Sequence, residues 1–261
     1  MDTDLINRID DIIEERPYLG DVLNFYKKVI EFKGILYDIY KMPISFGDWS
    51  YPAEIITPIF KSFSSIFDIP EESIEPLKEA IKFNKIDFTK LPLNDVSEHD
   101  FSYDAFSNSE DDTNMLLFFI SKPFFLWLKD LRNPGEIFWE NGKCPVCKST
   151  PSFSFNMGEE GRMLYCSYCE SRGWWNRIGC PNCENNSADK IITLEFEKEE
   201  GFKLNLCNEC SSYVKTAERR LLDDYPPDIL DIISLPLDIV AQNRGYQRLS
   251  PNPMGMRKMA L

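Results

Sequence analysis

The sequence predicts an α+β chain: a helical N-terminal domain, two tandem β-hairpin modules built around cysteines, and a C-terminal helical tail. Three observations carry this reading. All eight cysteines fall between residues 144 and 210, in four C-x-x-C pairs. Apolar residues recur at helical spacing through most of the first 140 positions, and strand-like alternation is confined to the stretches between cysteine pairs. With 261 residues and 43% hydrophobic content the chain has a sizeable core to bury. The expected division is a helical domain over 1–140, modules over 141–178 and 179–216, and a tail over 217–261.

In chain order, residues 5–15 place Leu5, Ile9, Ile12 and Ile13 on one side of a short helix. Pro17 suits the first turn of the next helix, where its missing N–H goes unneeded. Tyr18, Val22, Phe25, Val29, Phe32, Leu36 and Ile39 then form a core-facing stripe. A third helix after Pro52 carries Ile55, Ile56, Ile59, Phe60, Phe63 and Phe67, and a fourth spans 71–83. Residues 94–112 are acidic, rich in Ser and Asn and without period, the pattern of an exposed loop. The single histidine, His99, lies there with no partner motif and is assigned no role. A last helix over 113–131 ends at Asn133-Pro134-Gly135. Its apolar run, 115–128, is broken by Lys122 and Pro123 and falls short of the roughly 20 residues of a membrane span. It is a buried core helix.

The cysteine pairs are Cys144/Cys147 in CPVC, Cys166/Cys169 in CSYC, Cys180/Cys183 in CPNC and Cys207/Cys210 in CNEC. Two thiolates three residues apart on a tight turn grip one ion from the same side, and two such turns complete a tetrahedron. The stretches inside the first and second halves read as hairpins. Residues 152–155 run out and 162–165 return, with Gly158 and Gly161 in the turn; Ile192, Leu194 and Phe196 are answered by Phe202, Leu204 and Leu206. The segment is therefore an internal repeat of CPxC, hairpin and C-x-x-C. A hairpin joins its own ends, which favours sites made of Cys144/Cys147/Cys166/Cys169 and Cys180/Cys183/Cys207/Cys210 over the other matchings. The nested alternative, the chaperone zinc domain with CxxCxGxG, lacks its GxG here. Disulfide scaffolding is disfavoured by the acidic start Met1-Asp2-Thr3-Asp4, unlike a signal peptide, and a cytoplasmic location is expected. A thioredoxin-type motif normally occurs once, not four times.

After Cys210, residues 212–222 fit either strand or helix. Residues 228–243 read as a helix, apolar at Ile229, Ile232, Ile233, Leu237 and Val240 and interrupted at Pro236, and the tail from Pro251 reads as loose. Net charge is −14, of which residues 1–143 carry −12 and residues 144–210 carry −3. A divalent ion in each four-thiolate site leaves about two further negative charges per site. Such ribbons present no phosphate-binding patch, which counts against nucleic acid as partner. No nucleophile elbow, Walker loop, HExxH or Rossmann glycine pattern is present, and four thiolates leave no open coordination position for hydrolysis. The residues favour a binding or assembly protein over an enzyme. The alternatives are a zinc-ribbon nucleic-acid binder and a rubredoxin-like electron carrier or thiol oxidoreductase.

Several motifs flank the cysteines in order. Arg16-Pro17-Tyr18 and Leu23-Asn24-Phe25-Tyr26 open the chain, and the apolar 119–126 with Pro123 precedes the first pair. Leu235-Pro236-Leu237-Asp238, then Arg244-Gly245-Tyr246-Gln247-Arg248, then Asn252-Pro253 close it. In these features the chain resembles the FdhE family, accessory proteins of formate dehydrogenase maturation. The resemblance implies a helical domain with two rubredoxin-like (zinc-ribbon) metal modules, two metal ions per chain, iron or zinc, and no catalytic residues. It also implies binding to the catalytic subunit of a molybdenum- or tungsten-dependent formate dehydrogenase, in the cytoplasm and without membrane insertion. Trp174 and Trp175, adjacent bulky aromatics on a short strand, are the candidate partner-binding residues, since alternation buries only one of two neighbours. Two local departures stand out. Glu170 follows CSYC where the family often has glycine, and Pro236 interrupts a helix the family writes without proline.

Overall fold

The computed structural model describes residues 3–40, 53–83, 85–93 and 110–259. Residues 94–109 of the expected loop, His99 included, lie outside them. The chain forms two compact units, Met1–Leu91 with Asp95–Trp127, and Pro92–Asn94 with Leu128–Leu261.

Helices α1 (Thr3–Glu15), α2 (Gly20–Tyr40), α3 (Ala53–Phe67), α4 (Glu71–Lys82), α5 (Glu110–Ile120) and the start of α6 (Lys122–Arg132) make the first unit. The stripe expected on α2 is one residue out of phase in its first turns: Leu19, Leu23 and Tyr26 are buried there, and Tyr18 is 64% exposed. A 3-10 turn at Pro17–Leu19, at three residues per turn, rotates the entry, and from Val29 the stripe runs as expected through Phe32, Leu36 and Ile39. Phe32 meets Phe63 edge-on at 5.3 Å and Phe119 at 6.4 Å, so one aromatic cluster ties α2, α3 and α5 together. The helix expected over 113–131 is two. Pro123 has no N–H to give, and its ring crowds the carbonyl four residues back, so the chain breaks at Ser121. Both halves remain buried. Among the described residues no helix is long and apolar enough to cross a membrane.

The second unit is organised by one six-stranded sheet. Its strands are β1 (Phe153–Asn156), β2 (Arg162–Tyr165), β3 (Arg172–Trp175), β4 (Ile191–Glu195), β5 (Phe202–Cys207) and β6 (Ser212–Glu218), in the order β3-β2-β1-β6-β5-β4. Each repeat contributes an antiparallel meander of three strands, and β1 joins β6 in parallel, with Ser154 opposite Thr216. The sheet is thus continuous through both repeats. The stretch after Cys210, open between strand and helix, is β6 followed by the short α7 (Leu221–Asp224). Outside β3, residues Ile137 and Trp139 pair with Trp174, which covers that edge. Gly173 is required there, because a Cβ would lie 2.0 Å from the Trp139 indole nitrogen.

Helices α8 (Pro227–Ile233) and α9 (Leu235–Asn243) replace the single interrupted helix. Pro236 sits in the first turn of α9, where a proline is tolerated, so it starts a helix instead of bending one. The tail expected to be loose is packed: residues 250–255 are buried. Ser167 Oγ donates to the Pro251 carbonyl at 2.8 Å, Ser149 Oγ lies 3.3 Å from Ser250 Oγ, and the Asn252 carboxamide accepts from the Met254 and Met256 amides. Ser149 and Ser167 belong to the two knuckles of the first repeat, so the C-terminal segment is fastened over that repeat.

Candidate metal centres

Each C-x-x-C turn is built the same way. The residue following it has a left-handed backbone: Lys148 at φ 63°, Glu170 at 58°, Glu184 at 61° and Ser211 at 52°. That twist turns the amides inward. In the first three knuckles the amide of this residue donates to the carbonyl of the first cysteine at 2.9 Å, and the first cysteine's amide donates to the carbonyl one position further on. Both sulfurs then point to the same side. A glycine would adopt this φ without strain, but the turn forms without one, so Glu170 leaves the second knuckle's geometry intact.

Four sulfurs converge in each repeat: Cys144, Cys147, Cys166 and Cys169 in one cluster, Cys180, Cys183, Cys207 and Cys210 in the other, each set lying within 4.8 Å. The neighbouring knuckles are thus the ones that pair, as the hairpins predicted. The shortest cross-hairpin separations are 3.4 Å for Cys144–Cys169 and Cys147–Cys166, and 3.7 Å for Cys180–Cys210 and Cys183–Cys207. A tetrahedral ion with metal–sulfur bonds of ~2.3 Å needs sulfurs about 3.8 Å apart, so the cages fit one such ion each. Four thiolates suit zinc or iron, and they close the coordination sphere.

The surroundings differ. The first cluster is wholly buried, whereas Cys183 and Cys210 of the second are half-buried. The thiols follow one pattern in both: burial pushes Cys147 and Cys166 up in the first cluster and Cys183 and Cys207 up in the second, while at Cys169 hydrogen bonds with the other three cysteines and with Ser171, 3.2 Å away, overcome burial and hold the thiol down. At Cys210 burial acts the same way, but hydrogen bonds from Ser212 and Asn182 overcome it and bring the thiol down to about 6. Ser212 Oγ lies 3.0 Å from that sulfur, and Asn182 Nδ2 donates to it at 3.5 Å. Arg162, at the start of β2 in the first repeat, is buried beside the second cluster. Burial lowers its guanidinium to about 10, partly offset by Cys180. Lys143, just before the first knuckle, is also lowered by burial, against the opposing fields of Cys180, Glu184 and Cys210.

Beside the first cluster lies a buried charge network that the sequence reading missed. Lys215 on β6, Asp231 on α8, Asp238 on α9 and Arg248 are all buried. Lys215 pairs with Asp231 and Asp238. The Arg248 guanidinium bridges the same two carboxylates and donates to the Ser152 carbonyl at 3.2 Å and the Ser250 carbonyl at 2.9 Å. Tyr213 OH donates to Asp238 at 2.7 Å, and Tyr165 OH donates to Asp228 at 2.8 Å. Asp238 is buried, which raises a carboxyl, yet Lys215 and Arg248 outweigh this and hold it below the ordinary range. The network locks the C-terminal helices to both halves of the sheet. Asp238 and Arg248 stood out earlier only as motif letters; Lys215 and Asp231 carried no local signal.

The two tryptophans part company on β3. Trp175 is 7% exposed and stacks on Phe138 at 5.4 Å, while Trp174 is half-buried. Ile137 and Phe138, each 49% exposed, lie on the strand segment paired with β3.

With the sites in view, the relatives can be placed. A family model described as FdhE, C-terminal domain, matches residues 178–254, which hold the second cluster together with Asp238, Arg248 and Asn252. An FdhE homolog of Aquifex aeolicus (strain VF5) is 28% identical over 96% of this chain and 94% of its own length. An FdhE homolog of Pectobacterium atrosepticum is 34% identical over 46% of this chain and 38% of its own length. The crystal structure of the FdhE protein from Pseudomonas aeruginosa shares the fold with TM-score 0.64, at 18% identity, over 95% of this chain and 93% of that one. The matched C-terminal segment, the end-to-end relative and the shared fold agree: this chain is similar to FdhE proteins along nearly its whole length.

Proposed function

We propose that this protein is an accessory factor of formate dehydrogenase maturation, which binds the catalytic subunit of that enzyme and holds two metal ions, iron or zinc, in its four-cysteine sites. The observation that carries the reading is the pair of closed four-sulfur cages in a chain similar to FdhE proteins from end to end. A cage with no open position suits holding a surface in shape, or moving one electron, rather than activating water. An accessory role without catalysis is consistent with that. Residues 144–210 carry a net −3, which further weakens the nucleic-acid alternative.

Trp174 is the side chain we assign to the catalytic subunit, with Trp175 packed beneath on the opposite face of β3. The neighbouring exposed Ile137 and Phe138 extend the apolar surface, and aromatic anchors of this kind dominate interface energetics. The net −12 of residues 1–143 would mainly raise the association rate with a basic segment of that partner, since exposed charges are screened beyond about 8 Å at physiological salt. The test is capture of the purified catalytic subunit by protein prepared anaerobically, with elemental analysis alongside. Two ions per chain are expected. Trp174→Ala is expected to weaken capture at least tenfold with the melting temperature unchanged, and Trp175→Ala to lower the melting temperature as well. Undiminished capture by Trp174→Ala would remove the anchor, and no capture by the wild type would remove the partner.

A further inference from the structure

The second cluster draws its four sulfurs from its own repeat, but part of what surrounds them comes from the first. Gly142, two residues before the first knuckle, lies so close to Pro181 of the third that a Cβ at position 142 would sit 2.0 Å from the Pro181 carbonyl oxygen. The next residue, Lys143, places its ammonium 3.4 Å from the Asn182 side-chain oxygen, and Asn182 in turn donates to Cys210. From β2, Arg162 donates through Nη1 to the Gly179 carbonyl at 3.2 Å and through Nε to Ser154 Oγ at 3.1 Å. Its Nη2 has no hydrogen-bond partner, and the side chain lines a small cavity together with Cys180, Cys207 and Ser212.

Arg162 is 6% exposed, and among the described residues no carboxylate pairs with it. A buried guanidinium without a counter-charge is costly, and native structures pair such groups. Among the described residues, the negative charge acting on it is that of the second cysteine cluster, through Cys180. Four thiolates around a divalent ion carry a net charge of about −2, and Arg162 with Lys143 supplies two positive charges from the other repeat.

We propose that Arg162 and Lys143, both from the first repeat, are the counter-ions of the second four-cysteine site, and that the charge they contribute sets how tightly that site holds its metal. Their role is positioning and electrostatic; neither touches the ion. Among the described residues, no cation from the other repeat takes such a place at the first site. Its knuckle carbonyls instead accept from Arg132 and Lys129 of α6, at Val146 and Glu170. The inference rests on the reading of the clusters as metal sites, and the experiment separates the two.

Full-length protein loaded with zinc is challenged with a chromogenic chelator, and the two release phases are followed. The phase absent from a Cys207/Cys210 double serine variant identifies the second site. Arg162→Gln keeps a donor for the Gly179 carbonyl but removes the charge, and is expected to weaken retention at the second site about tenfold, the lower end of what outer-sphere substitutions cost. Arg162→Lys keeps the charge and is expected to restore retention to within about threefold. Lys143→Gln, at a half-buried position that tolerates the change, is expected to act in the same direction and more weakly. The first-site phase is unchanged in all three. Equal loss in the Gln and Lys variants of Arg162 with Lys143→Gln silent, or parallel acceleration of both phases, would overturn the charge role. A wild-type protein that binds no zinc would instead overturn the metal reading.

Discussion

The two four-cysteine sites are copies of one turn design in different surroundings. Around the first, all four cysteines are buried and the C-terminal segment lies across its knuckles through Ser250 and Pro251. Around the second, Cys183 and Cys210 are half-buried, the Asn182 amide reaches Cys210, and two cations approach from the other repeat. Duplication of a ribbon therefore does not duplicate a site. A sulfur cage takes its stability and accessibility from whatever the rest of the chain lays over it, because solvent exposure, hydrogen bonds to sulfur and nearby charge tune a metal centre as strongly as its ligands do. The first site, being wholly buried, is expected to anchor the fold. The second, with Cys183 and Cys210 half-buried, is expected to exchange its ion more readily.

The strongest challenge to this comparison is to delete each site in turn. Metal binding at structural sites contributes on the order of 10–16 kcal/mol, comparable to the whole stability of a domain. Cys144/Cys147→Ser is expected to release both metals and expose the second unit to limited proteolysis, since the buried site underlies the tail and the shared β1–β6 pair. Cys207/Cys210→Ser is expected to halve the metal content by elemental analysis and leave the first repeat protected. Identical outcomes for the two variants would erase the distinction.

A smaller effect sharpens it. Asp238→Ala leaves Lys215 and Arg248 buried and short of a counter-charge, a loss of about 3–5 kcal/mol. Because Arg248 also holds the Ser250 carbonyl, chelator release from the first site is expected to accelerate toward that of the second. The same residue gives a pH dependence. Its folded carboxyl is held below the unfolded value, so its stabilisation is complete above the ordinary carboxylate range near 4 and is lost as pH falls through the depressed folded value. Melting temperature against pH for Asp238→Asn is expected to show a flatter acid limb than the wild type. An unchanged limb would take Asp238 out of the network.

The smallest effect concerns what the two sites share. Lys148 and Glu184 hold the same left-handed turn, one in each repeat, and a side chain there costs about 1 kcal/mol relative to glycine. Lys148→Gly and Glu184→Gly are each expected to raise stability by up to about 1 kcal/mol in chemical denaturation, and by similar amounts. A gain in one repeat only would show that the turns are not equivalent.

The sequence by itself determined the α+β class, both hairpins and the partition of eight cysteines into two cages. Those are matters of local spacing: C-x-x-C chelation spans one turn, and a hairpin returns its own end. It also marked Asp238, Arg248 and Asn252 as motif letters without saying what they do. Only the tertiary structure decided that Arg248 reaches Ser152, 96 positions away, and closes a buried network with Lys215, Asp231 and Asp238. It likewise decided that the tail from Pro251 is packed, that Pro123 splits one helix into two, and that Arg162 and Lys143 face the other repeat's cysteines. The physical reason is common to these cases. A buried charge is tolerated only where its partner is brought to it, and which partner arrives depends on how strands distant in sequence pair, here β1 with β6, which no local period encodes.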